Sequence, residues 1–177
     1  MIIVRAMGGL GNQLQQYALY RKLEATGKDA RLDISWFRNE AFRAGMAAER
    51  DLELEELQLP PYKAATEEEI RTVLGRLWEE KEKTTGKIGR KLHLLKNPAF
   101  EENGLYHEEV LSMDDKYLVG YWACEKYYAD ILDVLRRDIS FPPAGDNRLQ
   151  ERNEETIRLM EGAQSVSVHI RRGDYLD

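Results

Sequence analysis

The first thirty-four residues restrict the fold more than any other part of the chain. Ile2 to Met7 is an apolar run of strand length, glycines at 8, 9 and 11 form a turn, and Asn12 to Ala25 has helical propensity with Leu14, Tyr17, Ala18 and Leu23 at its apolar positions. Gly27 stops that helix, and Ala30 to Ile34 reads as a second strand. Strand, crossover helix and parallel strand in this order define an α/β fold, a parallel sheet with flanking helices.

The rest of the chain continues the pattern less regularly. Thr66 and Glu69 form a capping box ahead of Ile70, Val73, Leu74, Leu77 and Trp78, whose helical spacing predicts a core stripe. Lys87 to Asn97 is basic and ends at Pro98, which fits either a surface helix or a mobile connection. Tyr117 to Trp122 is expected as a strand and Glu125 to Ile139 as a helix with Tyr128, Ile131, Leu132 and Leu135 on one face. Phe141-Pro-Pro-Ala-Gly145 breaks the chain before a helix over Asn147 to Met160. Ser165 to Ile170 alternates small polar residues with Val166, Val168 and Ile170 and reads as a strand. It carries Arg171-Arg-Gly-Asp-Tyr175 at its end, two residues before Asp177, so a truncated chain is expected. No internal repeat is present.

Composition narrows the function classes. With 42% hydrophobic residues among 177, the chain can bury a real core. Its net charge of -6 comes from short acidic runs, Glu53 to Glu56, Glu67 to Glu69 and Glu79 to Glu82, expected on solvated helix faces. That charge repels nucleic acid, and the basic stretch Lys87 to Lys96 has no interleaved aromatics to stack bases, so no nucleic-acid partner is expected. One cysteine, Cys124, cannot make an intrachain disulfide and fits a reducing compartment. The chain opens directly on a strand, so no signal peptide is expected; no apolar run approaches spanning length, and a cytoplasmic protein is anticipated. His93 and His107 have no third ligand at metal spacing and read as solvated, while Trp36, Trp78 and Trp122 read as core rather than sugar platforms.

Two segments carry chemistry. Met7-Gly-Gly-Leu-Gly-Asn-Gln13 lies between a strand and a helix, where glycines let backbone amides approach an anion and the helix N-terminus adds partial positive charge. The same glycines serve equally as a plain structural turn. The dinucleotide fingerprint fits poorly, with Leu14 where a third glycine is wanted, although Asp33 lies near the usual place of a ribose-binding acid. The second segment, His169-Ile-Arg-Arg-Gly-Asp-Tyr175, projects two guanidiniums from the end of the expected strand. Arginine suits phosphate through its planar fork; the alternative is a surface turn with an Arg and Asp salt bridge.

Taken in order, Ile2-Ile-Val-Arg5, Gly8-Gly-Leu-Gly-Asn-Gln13, Gln16-Tyr-Ala18, Leu32-Asp-Ile-Ser35, Gly120-Tyr-Trp122, Glu125-Lys-Tyr127 and His169-Ile-Arg-Arg-Gly-Asp-Tyr175 resemble the alpha-1,2-fucosyltransferases of glycosyltransferase family 11. The heptapeptide is similar to a motif shared across several fucosyltransferase families, and the opening motif narrows the resemblance to the alpha-1,2 branch. The resemblance implies one Rossmann-like lobe of a GT-B-type glycosyltransferase. It implies inverting transfer of fucose from GDP-fucose to the 2-hydroxyl of a galactoside-terminated glycan acceptor. Such an enzyme is peripheral to a membrane where that acceptor is lipid-linked. Carried over to this chain, Gly8, Gly9, Gly11, Asn12, Gln13, His169, Arg171 and Arg172 would bind the donor, with Arg171 on the β-phosphate. Arg171 and Asp174 would be catalytic, Asp174 either as general base or as the ion pair that orients an arginine. The chain has no Asp-x-Asp pair, so arginine is expected to neutralise the leaving diphosphate and no metal or other cofactor is implied.

Departures from the family pattern are local. Gln13-Leu-Gln-Gln16 puts Gln15 where the family usually has an aromatic, and Ala123-Cys124 replaces a common Gln-Ser. The family's second half, with downstream motifs and much of the guanosine pocket, is missing, so the fragment itself is expected to be inactive. The other readings are a stand-alone nucleotide- or anion-binding module and a structural remnant that binds nothing.

Overall fold

A computed structural model describes residues 1–38, 50–75, 98–102, 104–168 and 170. The chain divides into two units, Met1–Ser140 and Phe141–Asp177. In the first, β1 (Ile2–Arg5) leads through the glycine turn into α1 (Leu10–Ala25) and then β2 (Ala30–Asp33), which pairs with β1 in parallel. The crossover expected from the opening residues is therefore present. Helix α2 (Glu67–Leu74), β3 (Pro98–Phe100), β4 (Tyr117–Val119) and α3 (Leu132–Asp138) follow. The four strands are all parallel, in the order β2-β1-β4-β3, so the α/β class holds.

Alternation along β1 separates two cores. Ile2 and Val4 share one cluster with Tyr17, Leu19 and Leu23 of α1, while Ile3 joins Tyr117, Val73 and Leu74 on the other face, toward α2. The sheet is thus covered on both faces, as a parallel sheet requires. Helix α1 is buried continuously over Gln16–Tyr20, so it packs on more than one side. Thr66 caps α2 through the expected box, its side chain accepting from the Glu69 amide while Glu69 accepts from the Thr66 amide. Leu77, Trp78, His93, the run Glu79 to Glu82 and the segment Lys87 to Asn97 lie outside the described residues.

Several boundaries differ from the sequence reading. Pro98 opens a strand instead of closing a segment; β3 is an edge strand, the place where a residue without an N–H fits. The strand expected over Tyr117 to Trp122 stops at Val119, because Trp122 turns to φ 56. The helix expected over Glu125 to Ile139 is two 3-10 turns, Glu125–Tyr127 and Ala129–Ile131, followed by α3. Tyr128, at φ -142, interrupts the helical ladder, and in doing so buries Tyr127 and Tyr128 together with Ile131 and Leu135. Glu53 to Glu56 is a 3-10 turn that keeps Leu54 buried between a half-buried Glu53 and an exposed Glu55.

The second unit contains α4 (Asn147–Glu161), capped by Asp146, whose carboxylate accepts from the amides of Arg148 and Leu149. None of its residues is buried. The strand expected over Ser165 to Ile170 is not formed among the described residues. Val166 and Val168 are 85% and 80% exposed, and without a neighbouring ladder an alternating sequence has nothing to pair with. Among the described residues no helix is long and apolar enough to cross a membrane.

Candidate functional site

The glycine segment sits where a parallel sheet binds ligands, at the carboxyl end of β1 and the N-terminus of α1. Gly8 adopts φ +80, a conformation disfavoured for any side chain, and a Cβ there would lie 2.7 Å from Asn12 Nδ2. Gly9 precedes the helix without a capping side chain, and the first turn of α1 holds no acidic residue, leaving its N–H groups without a local counter-charge. The Arg50 guanidinium stands 3.6 Å from the point a Cβ on Gly9 would occupy. Gly11 is exposed with nothing within 4 Å of its own Cβ position. Cationic side chain, amide-rich helix end and open space thus lie together, an arrangement suited to an anion.

Two buried glutamines hold this turn in shape. Gln13 Nε2 donates to the carbonyls of Gly8 and Asp51, both at 2.9 Å, and its Oε1 accepts the Leu54 amide at 3.2 Å. Gln16 Oε1 accepts the Met7 amide and its Nε2 donates to the Gly120 carbonyl, tying β1's exit to that of β4. The Gln13 side chain is fully buried with its hydrogen bonds satisfied inside the protein, so it frames the loop from below while Gly9, Gly11 and Asn12 form its outer surface. The sequence reading does not divide the loop this way: it expects Gln13 among the donor-binding residues and gives Gln16 no role beyond its place in a family motif. Gln15, the residue in place of an aromatic, buries an Oε1 that finds no partner among the described residues.

Asp33 is placed in the core. It is 1% exposed, accepts the Ser35 amide at 2.8 Å and receives the Tyr117 hydroxyl, so both carboxylate oxygens are engaged within the fold and neither is presented to a ribose. Trp36 and Trp122 are buried, as expected of core residues. His107 is half-buried and lies 3.4 Å from Glu109. Among the described residues no three His, Cys, Asp or Glu side chains group as a metal centre would require. Two site residues escaped the sequence reading. Tyr121, between Gly120 and Trp122, is an exposed aromatic beside Gly8, and Arg50 lies 37 positions beyond the loop's end, where no motif marks it. For Tyr121 the signal was available in the in-out sequence of one small and two aromatic residues after a strand. His169, Arg171, Arg172 and Asp174 lie outside the described residues, so the structure neither joins them to the glycine loop nor separates them from it.

Comparison with known proteins agrees on one class, the glycosyltransferases. Residues 98–177 match the model of glycosyl transferase family 11. An alpha-1,2-colitosyltransferase of Escherichia coli is 27% identical over 99% of this chain and 56% of its own length. Both findings point the same way as the motifs, toward glycosyl transfer, with the family match confined to residues 98–177. The glycine loop falls outside the family match and inside the alignment with the relative, and the chain spans about half the length of that relative. No solved structure gives a significant match.

Proposed function

We propose that this chain is the N-terminal part of an inverting glycosyltransferase that moves L-fucose from GDP-fucose to the 2-hydroxyl of a galactoside, with activity residing in a longer polypeptide. The observation that carries this reading is the glycine loop at the carboxyl end of β1, with Arg50 beside the N-terminus of α1 and no acid in its first turn. Such a site favours a diphosphate. In the reaction the acceptor 2-hydroxyl oxygen bonds to the anomeric carbon, the bond from that carbon to the β-phosphate oxygen breaks, and the hydroxyl proton passes to a base. GDP leaves with added negative charge, which the fork of Arg171 stabilises, aided by Arg172 and His169. Asp174 is assigned to the ion pair that orients them. Arginine takes the place of a metal in this scheme. A lipid-linked acceptor would bring the enzyme to a membrane surface.

The relative's name favours a second reading of the donor sugar, with colitose, which lacks a hydroxyl that fucose carries, in its place. A pocket that hydrogen-bonds the extra hydroxyl would discriminate strongly between the two.

The test is GDP release with a lactose-type acceptor, measured on a polypeptide extended to the relative's length. Release from GDP-fucose that persists in excess EDTA, with kcat reduced about 100-fold or more in Arg171→Lys and less in Arg172→Lys, is expected. The 177-residue chain alone should release none. No release with either donor sugar from the extended polypeptide would sink the transferase reading, and loss on chelation restored by manganese would sink the arginine-only scheme.

A further inference from the structure

Beside the anion-suited side of the glycine loop lies a second surface built from side chains. It begins with Gly120, where a Cβ would come within 2.4 Å of Glu101 Cβ, so the chain leaving β4 can pass this close to the exit of β3 only as glycine. The next residue is held from two directions. Its amide donates to Glu101 Oε2 at 2.7 Å, and the preceding carbonyl accepts from Gln16 Nε2 at 2.9 Å. Trp122 then takes φ 56, a conformation a bulky residue adopts only when its surroundings impose it, and its indole is buried edge-on against Tyr127 at 5.6 Å.

With Gly120 and Trp122 both fixed inward, Tyr121 is turned outward and stays 46% exposed. Its Cε1 lies 3.4 Å, and Asn12 Nδ2 2.7 Å, from the same point above Gly8. The Asn12 amide makes no hydrogen bond among the described residues. An exposed aromatic ring on a fixed backbone therefore stands near a carboxamide that has no hydrogen bond among the described residues, at the carboxyl edge of the sheet. A pyranose has the matching surface, with a C–H face that packs on an aromatic ring and a rim of hydroxyls that an amide can both donate to and accept from. Charge separates the two sides of the loop. Arg50 stands by Gly9, whereas the charged group nearest the Tyr121 backbone is the Glu101 carboxylate, which favours a neutral sugar over a phosphate.

We infer that Tyr121 and Asn12 form the platform for the neutral acceptor ring, a hexopyranoside stacked on Tyr121 with a hydroxyl on the Asn12 amide. The choice of a galactoside as probe rests on the function proposed above; the platform itself rests on Tyr121, Asn12 and their supports. It makes Tyr121 a specificity residue beside Gly8, next to the Gly9 position that Arg50 approaches.

The experiment is an amide NMR titration of the 177-residue chain with methyl β-galactopyranoside. Saturable shifts at Tyr121, Gly8 and the Asn12 side-chain amide are expected. Tyr121→Ala should weaken binding about fivefold or more, the size of a lost aromatic contact, and Tyr121→Phe should bind as the parent does. A dispersed, folded spectrum that the galactoside leaves unchanged overturns the inference. So does equal binding by Tyr121→Ala, or shifts at these residues with guanosine and none with the galactoside, which would make the ring a base platform. Because no GDP-fucose enters the titration, its failure is separate from a failure of the transfer assay.

Discussion

Gln13 shows how a single buried side chain can hold a loop in shape. Two of its bonds go to carbonyls and one comes from an amide, all within the interior, so Gln13→Ala would strand three backbone groups. A loss of about 3 kcal/mol in chemical denaturation is expected, with the glycine loop the first region to lose amide protection. Gly8→Ala acts differently. Its φ of +80 costs an alanine about 1–2 kcal/mol, and the new methyl group displaces the flexible Asn12 amide, so this variant should remain folded yet lose galactoside binding. Tyr17 and Tyr20, under the sheet, have hydroxyls pushed up to about 12, chiefly by burial. The sign follows from linkage: folded values above the unfolded 10 leave stability intact below pH 10 and remove it as pH rises from 10 through 12. Absorbance at 295 nm should show these two tyrosines ionising together with unfolding, as pH rises from 10 through 12. Ionisation of all tyrosines near pH 10 in a chain with native circular dichroism would contradict the burial.

At the scale of elements, the parts read most easily were those where local and tertiary preferences coincide. The β1-α1-β2 unit follows from an apolar strand, a glycine turn and a helix end at Gly27, and the capping box of α2 is formed by the two residues the pattern picked out. Where they diverge, packing prevails. Glu125 to Ile139 has helical spacing, yet the chain forms two 3-10 turns that break at Tyr128, φ -142, with Tyr127, Tyr128, Ile131 and Leu135 all buried. Ser165 to Ile170 alternates like a strand, but alternation states only which side chains would share a face and not whether a partner ladder exists. The site was legible in half. The glycine loop was visible as a motif, whereas Tyr121 and Glu101 are joined to it only through the sheet order, and Arg50 through a chain segment outside any strand, none of which a spacing in the sequence encodes.

The whole molecule divides at the proline pair after Ser140. Met1–Ser140 contains both apolar clusters, and α4 contributes no buried residue to either. A chain ending at Ser140 keeps every residue of both clusters and should therefore melt cooperatively within about 2 °C of the 177-residue chain. A drop of about 10 °C, or loss of the cooperative transition, would show that the second unit supports the first. The galactoside titration should also survive this truncation, because Gly8, Asn12, Glu101 and Tyr121 all precede it.

The two borders of the sheet are not equivalent. Along β2, Leu32 donates to the Lys63 carbonyl and accepts from the Ala65 amide, so a strap of chain already occupies that margin. At the opposite margin β3 offers only three residues, the first a proline with no N–H to give. Among the described residues, then, an additional strand finds an uncovered margin only at β3, and begins there from a template too short to guide a stranger.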